Sequence, residues 1–225
     1  MVTYWYYLIG MVVLLLAVFA SWRLVSRRES LPCPTWLGWM VELDNPLFRN
    51  NSARAILQHL DVRPGMKVLD FGCGPGRLTI PAAKQVGPQG EVTAYDVQLG
   101  MLHRTQEKAK AADLNNIRCL QAGPGTNRLG FNQYDLALLV TVLGEIPGRQ
   151  AALKEIFDAL KPGGRLSITE VIADPHFQRR SIVRQWAASI GFQESACFGH
   201  RLSYTLHLEK PAAEYDAGQN PKEPQ

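Results

Sequence analysis

The sequence lacks the features that mark metal-binding, disulfide-rich, repeat and nucleic-acid-binding proteins. Its four cysteines, at positions 33, 73, 119 and 197, form no C-x-x-C pair, which argues against a zinc site and a disulfide framework. No repeat occurs at the periods of solenoid proteins. The net charge is only +4 at pH 7, too weak to indicate a nucleic-acid partner. We therefore predict no metal and no nucleic acid, and the oligomeric state stays open.

Apolar residues are concentrated at the amino-terminal end of the chain. Residues 4–22 form a run of 19 residues without a charge, which as a helix would span roughly 29 Å, close to the thickness of a bilayer's hydrocarbon core. Aromatic residues stand at both ends of the run, and Arg23, Arg27 and Arg28 follow it. This pattern predicts a membrane anchor over residues 1–28, with the remaining chain in the cytoplasm by the positive-inside rule.

Two other interpretations of this run stay open. A cleaved signal peptide would have a passable cleavage site at residues 18–20, but it would need a basic region before the apolar run. A buried core helix would need a polar face, and the run has none. Residues 29–52 are predicted as a linker and an amphipathic helix, which packs on the domain or rests at a membrane interface.

Strands and helices alternate over residues 53–210. The predicted strands cover residues 66–71, 91–95, 116–121, 134–140, 165–171, 194–198 and 203–209. This alternation predicts an α/β fold with a doubly wound, mostly parallel, seven-stranded sheet. The last two strands are joined by only a few residues and must run antiparallel to each other. Residues 53–210 form the predicted domain, and the polar residues 211–225 form a predicted disordered tail.

A glycine-rich loop follows the first predicted strand. Residues 70–76 read D-F-G-C-G-P-G, and glycines at alternate positions let the backbone turn sharply and approach a ligand closely. The loop is not a dinucleotide fingerprint, because Arg77 occupies the position of the third required glycine. It is not a phosphate-binding P-loop either, because no Gly-Lys-Ser/Thr follows. Taken alone, the loop is also consistent with a tight turn that binds nothing.

A carboxylate supports a ligand at this loop. Asp96 closes the second predicted strand, 20 residues beyond Gly76, where a carboxylate can accept hydrogen bonds from both hydroxyls of a ribose. The alternative is an ordinary aspartate in a strand-end turn. Asp70 can bind an ammonium group rather than a phosphate. Loop and carboxylate together indicate a ligand that contains a nucleoside.

At this point four blocks of sequence match a known family. They resemble the class I S-adenosylmethionine-dependent methyltransferases, and most closely the ubiquinone/menaquinone C-methyltransferase-like branch, at residues 68–79, 91–102, 131–140 and 160–170. The resemblance implies a Rossmann-like methyltransferase fold and S-adenosyl-L-methionine as the cofactor. It also implies roles for individual residues. Asp70, Gly72 and Gly74 would hold the methionine part of the cofactor, and Gly76 would shape the loop. Asp96 would bind the ribose, Val97 would line the adenine pocket, and Thr141 and Val142 would face the methionine part and the substrate.

Two positions depart from the family pattern. The segment after the third strand, residues 121–125, has no carboxylate near the expected adenine amine. Gly144 stands where close relatives often have the histidine of L-H-E-I-P. Candidate bases at the carboxyl edge of the sheet are Glu145, Glu170 and His176. The alternatives are that Glu145 only begins a helix and that His176 is a loop histidine without a catalytic role.

The sequence indicates the acceptor only by class. The predicted anchor favours a small lipophilic or membrane-associated acceptor, such as a quinone precursor or a phospholipid headgroup, by its location alone. A different class of function also stays open, namely a catalytically degenerate methyltransferase fold that binds a ligand or partner at the membrane. The departures in residues 121–125 and at Gly144 favour that alternative, whereas the intact glycine loop and Asp96 oppose it.

Overall fold

The computed structural model describes residues 2–29 and 51–212. Residues 30–50 and 213–225, which hold most of the predicted linker, amphipathic helix and tail, lie outside the described residues. The helices are α1 (Val2–Glu29), α2 (Ala53–Leu60), α3 (Thr79–Val86), α4 (Leu99–Ala111), α5 (Arg149–Ala159) and α6 (Arg180–Ile190). The strands are β1 (Lys67–Phe71), β2 (Glu91–Asp96), β3 (Ile117–Gln121), β4 (Tyr134–Val140), β5 (Leu160–Val171), β6 (Gln193–His200) and β7 (Ser203–Glu209).

The predicted seven-stranded sheet is confirmed. Its strand order is β3-β2-β1-β4-β5-β7-β6, and β7 pairs antiparallel with both of its neighbours, while the other paired strands run parallel. The order reverses between β1 and β4, so the carboxyl ends of these strands meet at the position where such sheets bind ligands. The fold is the Rossmann-like methyltransferase fold that the sequence predicts.

Two apolar layers enclose the sheet. On one face, residues of α2 and α3, such as Leu57 and Ala82, pack against Val68 and Leu138 of the central strands. On the other face, residues of α5 and α6 pack against alternate positions of the same strands. Strand β4 reads Y-D-L-A-L-L-V because a central strand buried on both faces needs apolar residues at nearly every position. These two layers fix the sheet edge that carries the site.

The predicted membrane anchor is wrong. Helix α1 exists, but among residues 2–29 and 51–212 no helix combines the length and the apolarity that crossing a membrane requires. The prediction counted only the uncharged run 4–22, whereas the helix continues without a break through three arginines to Glu29, and charged side chains are costly in hydrocarbon. The predicted transmembrane helix and the single-pass membrane localisation fail with it.

Strand β5 begins five residues before the predicted strand. The sequence K-P-G-G at residues 161–164 is typical of a turn, yet Leu160 already pairs with Tyr134, and the register shifts before the pairing resumes at Arg165. The Gly163 amide donates to the Lys210 carbonyl, and the Lys210 amide donates to the Gly164 carbonyl. Proline and glycine therefore form an irregularity within a continuous strand, which local propensity alone does not distinguish from a turn.

Candidate functional site

The glycine loop after β1 is held against the end of β2. The amides of Gly72 and Cys73 both donate to the carbonyl of Tyr95, at 2.7 and 3.0 Å. Gly72, Gly74 and Gly76 all have positive φ angles, of 76°, 52° and 85°, which glycine adopts without the steric cost that a side chain adds. The sequence thus forms a sharply turned loop whose backbone can approach a ligand.

The three glycines differ in what a side chain would meet. A Cβ at Gly72 would lie 2.5 Å from Val142, and one at Gly76 would lie 2.9 Å from the hydroxyl of Thr105. A Cβ at Gly74 would meet no atom within 4 Å. Gly72 and Gly76 are therefore required by close packing, whereas Gly74 borders open space in the cleft.

Asp96 lies at the end of β2 and is 8% exposed. Its Oδ2 accepts a hydrogen bond from the Gly74 amide at 2.9 Å, and its Oδ1 accepts one from the Gln98 amide at 2.8 Å. Burial raises the pKa of this carboxyl, while the same backbone amides oppose the shift. Each carboxylate oxygen keeps a further lone pair for a ligand hydroxyl.

Asp70 is more deeply buried, with 3% of its surface exposed. The hydroxyl of Thr79, at the start of α3, donates to its Oδ2 at 2.6 Å. Burial raises the pKa of Asp70 to about 6, and the hydrogen bond from Thr79 opposes this shift. An ammonium group beside the carboxylate would offset the cost of its desolvation, so the position fits an amino-acid ligand.

The described residues around this edge line a cleft with two adjoining parts. The smaller part, of about 80 Å³, is lined by loop and carboxylate residues that include Asp70, Gly74 and Thr141. The larger part, of about 260 Å³, is mostly apolar and is lined by Phe71, Tyr95, Val97, Ala122, Pro124, Ile146 and Pro147, among others. Both parts share Gly72, Asp96, Gln98, Val142 and Glu145.

This arrangement matches the chemistry of S-adenosylmethionine. The polar part presents a buried carboxylate to an amino-acid group, Asp96 stands at the junction where a ribose would lie, and the apolar part can take a flat ring. Val97 is 54% exposed and lines that apolar part, as the sequence predicts for an adenine neighbour. The residues present therefore fit the cofactor, and Asp70, Gly72, Gly74, Asp96 and Val97 would hold it.

Thr141 has an unusual backbone conformation. Its φ angle is 54°, which is strained for a β-branched residue. The Thr141 amide donates to the Thr169 carbonyl at 2.8 Å, and its hydroxyl donates to the Val140 carbonyl at 2.8 Å. Strained positions of this kind cluster at functional sites, and this one turns the chain from β4 into the wall of the cleft.

The structure brings Glu145 and His176 together. Glu145 ends a short 3₁₀ helix, Leu143–Glu145, and lines both parts of the cleft. The Nδ1 atom of His176 lies 3.9 Å from Oε1 of Glu145 and 3.6 Å from Oδ1 of Asp174. His176 is only 6% exposed. Only Glu145 of this pair borders the cleft, and His176 stands behind it.

Glu170, the third candidate base, is buried below this pair. It is 1% exposed, and its Oε2 accepts a hydrogen bond from the Gln178 amide at 2.9 Å. Burial raises the pKa of this carboxyl well above its usual range. Unlike Glu145, Glu170 is not among the residues that line the cleft.

Sequence reasoning missed several residues of the site. Thr79 supports Asp70 but lies nine positions farther along the chain, and only the long block 68–79 gave a signal. Phe71 and Tyr95 stack with 4.4 Å between their ring centroids at the base of the apolar part, and the Tyr95 hydroxyl donates to the Gly123 carbonyl at 2.5 Å. Their positions at strand ends are visible in the sequence, but their stacking depends on the parallel pairing of β1 and β2.

Comparisons with known proteins agree with this geometry. A family model described as a methyltransferase domain matches residues 68–164. A demethylmenaquinone methyltransferase of Listeria welshimeri is 34% identical over 106 residues, which cover 47% of this chain and 45% of the relative. Over these residues the chain is similar to methyltransferases. The matches agree with the predicted resemblance to the class I S-adenosylmethionine-dependent methyltransferases and with S-adenosylmethionine as the cofactor.

The comparisons cover only part of the length of the curated relatives. The ubiquinone/menaquinone biosynthesis C-methyltransferase UbiE of Shewanella sediminis is 32% identical over 130 residues, covering 57% of this chain and 52% of the relative. The chain thus spans about half the length of the curated relatives it matches. A crystal structure of an S-adenosylmethionine-dependent methyltransferase from Aquifex aeolicus has a TM-score of 0.70 at 21% identity, covering 79% of this chain and 99% of that one, which shows the shared fold.

Replacing Asp96 by alanine should weaken S-adenosylmethionine binding by about 1.5–3 kcal/mol, or roughly 10- to 150-fold, the range for hydrogen bonds to a charged group. Part of this loss would arise because the Gly74 amide loses the carboxylate oxygen that accepts its hydrogen bond. Asp96→Asn keeps an acceptor for one amide and should lose less. Isothermal titration calorimetry on both variants measures the difference, and wild-type affinity in Asp96→Ala would contradict the ribose assignment.

Proposed function

We propose that this methyltransferase transfers the methyl group of S-adenosylmethionine to a ring carbon of a small, lipophilic, quinone-type acceptor in its reduced, hydroquinone form. The observation that carries the proposal is the position of Glu145, whose carboxylate lines both parts of the cleft. The names of the Listeria and Shewanella relatives support a quinone-type acceptor. The reduced form follows from chemistry, because a hydroquinone ring is nucleophilic and a quinone ring is electrophilic.

The protein's own residues would bind the cofactor, orient the acceptor beside it and remove a proton from the acceptor. Bound S-adenosylmethionine supplies an activated methyl group on a sulfonium, which becomes a neutral thioether when the acceptor carbon takes the methyl group. Asp70 holds the amino group of the donor and Asp96 its ribose, and the strained turn at Thr141 places the cleft wall beside it. Glu145 accepts the proton that the hydroquinone must lose, as a general base does when it borders the acceptor.

The proposal is tested by transfer of a deuterated methyl group. The full chain is incubated with S-(trideuteromethyl)-adenosylmethionine and a short-chain demethylated naphthohydroquinone, and the product is analysed by mass spectrometry. We expect one trideuteromethyl group on a ring carbon with the hydroquinone and no product with the oxidised quinone. A phosphatidylethanolamine sample tests the lipid-headgroup alternative.

The Glu145→Gln variant tests the role of the carboxylate. It keeps the size and one acceptor oxygen of the side chain but cannot take a proton. We expect kcat to fall by about 100-fold or more while the affinity for S-adenosylmethionine stays close to that of the wild type. Transfer at the wild-type rate would remove Glu145 from the reaction. Cofactor binding without transfer to any acceptor tested would instead favour the catalytically degenerate alternative.

A further inference from the structure

We propose that His176 is a positioning residue for this reaction: with Asp174 behind it, its imidazole holds the carboxylate of Glu145 ionised and turned toward the cleft. This inference rests on the proposed function, because it assigns a task to Glu145 as the base. It also makes a claim about the free protein, namely that the His176 ring and the Glu145 carboxylate are electrostatically coupled before any acceptor binds.

The first support is the position of the ring between two carboxylates. The Nδ1 atom of His176 lies 3.9 Å from Glu145 and 3.6 Å from Asp174, and only 6% of the residue is exposed. The backbone amide of His176 donates to Oδ1 of Asp174 at 2.6 Å, which fixes the local turn. A protonated imidazole in this place favours the ionised form of a carboxylate beside it.

The second support is the glycine that precedes Glu145. A Cβ at Gly144 would lie 1.9 Å from the carbonyl oxygen of His176, so the backbone at His176 packs directly against the 3₁₀ helix. No side chain fits at position 144 without moving one of the two segments.

The third support is the anchoring of the segment that carries His176. The side-chain amide of Gln178 donates to the His176 carbonyl at 2.6 Å, and its backbone amide donates to Glu170 at 2.9 Å. The hydroxyl of Tyr204 donates to the Gln178 carbonyl at 2.9 Å. The segment is therefore tied to β5 and β7, so the ring position is set by the sheet rather than by a free loop.

The charged neighbours of the pair come from several elements. Asp174 lies in the same segment as His176, and Glu170 lies on β5, where burial raises the pKa of its carboxyl. Arg149 of α5 donates from Nη2 to the Gly144 carbonyl at 2.7 Å. Any pH dependence of the pair therefore includes Asp174, Glu170 and Arg149.

The deciding experiment is an NMR titration of the His176 ring in the full chain without ligand. The ring signals are assigned by their loss in His176→Gln. Removing the charge of Glu145 in Glu145→Gln should lower the midpoint of the His176 titration by about one pH unit, because an opposite charge at this distance favours the protonated ring. Asp174→Asn should lower it too, which gives a second measurement if one variant folds poorly. His103→Gln, on the exposed face of α4, is the control and should change nothing.

An unchanged His176 midpoint in both Glu145→Gln and Asp174→Asn would overturn the proposal. Kinetics then separates it from the proposed function. His176→Gln should lower kcat by roughly 10- to 100-fold and shift the pH–rate profile, with the affinity for S-adenosylmethionine unchanged. Coupling in the titration without transfer to the hydroquinone would refute the proposed acceptor alone. Transfer that His176→Gln leaves unaltered across the pH range would refute the positioning role alone.

Discussion

Replacing Gly74 by valine should abolish S-adenosylmethionine binding, the largest effect that we expect from a single substitution. The φ angle of 52° at Gly74 costs a non-glycine residue roughly 1–2 kcal/mol. No neighbouring atom lies within 4 Å of the added Cβ, so the branched side chain would extend into the cleft that the methionine part of the cofactor needs. Titration calorimetry should give no binding heat at concentrations that saturate the wild type.

The matched control for this variant is Gly65→Val. Gly65 has a φ angle of 82°, and a Cβ there also meets no atom within 4 Å, but the residue lies before β1, at the opposite edge of the sheet. It should show a similar loss of stability in thermal melts and keep its affinity for the cofactor. Equal loss of binding in both variants would mean that backbone strain, and not occupation of the cleft, explains the result.

Replacing Asp70 by asparagine should weaken cofactor binding and stabilise the protein at the same time. The pKa of about 6, against an ordinary 3.8, means that keeping this buried carboxylate ionised at pH 7 costs about 3 kcal/mol. Asparagine can still accept the hydrogen bond from Thr79 without that cost. The lost charge would weaken ammonium binding by about 1.5–3 kcal/mol or more. Urea unfolding and titration calorimetry at pH 7 measure the two effects.

The pH dependence of stability gives an independent check. Because the pKa of Asp70 is raised in the folded state, the folded protein binds the proton more tightly than the unfolded chain does. The contribution of Asp70 to the free energy of unfolding therefore increases as the pH falls from about 6 toward 4. The Asp70→Asn variant should lack this increase in the free energy of unfolding at low pH. The Asp113→Asn variant, changed at an exposed position, should keep it. An identical pH dependence in Asp70→Asn and the wild type would contradict the burial argument.

The cofactor half of the site could be predicted from the sequence because it is encoded locally. Asp70 and the three glycines lie within seven residues, and Asp96 follows at the next strand end. Parallel pairing of β1 with β2 then brings the two carboxylates to one edge without further information. The site residues named for the cofactor all line the cleft except Gly76, whose part is to let the loop pack against Thr105.

The catalytic half could not be predicted with the same precision, because it depends on contacts between distant segments. Glu145 and His176 are 31 positions apart, and nothing in either local sequence shows that the His176 carbonyl occupies the space beside Gly144. The same limit explains the early start of β5, where pairing with β4 overrides a turn-like sequence. The membrane anchor failed because the arginines after residue 22 were taken as a flank of the apolar run, whereas they belong to the same continuous helix.

The most direct test of the central claim is equilibrium binding of S-adenosylmethionine to the full chain by isothermal titration calorimetry at pH 7.5. The cleft formed by Asp70, Gly74 and Asp96 predicts saturable binding with one molecule per chain, weakened in Asp96→Ala and absent in Gly74→Val. A folded wild-type protein that gives no binding heat and no thermal stabilisation at millimolar cofactor would contradict the account.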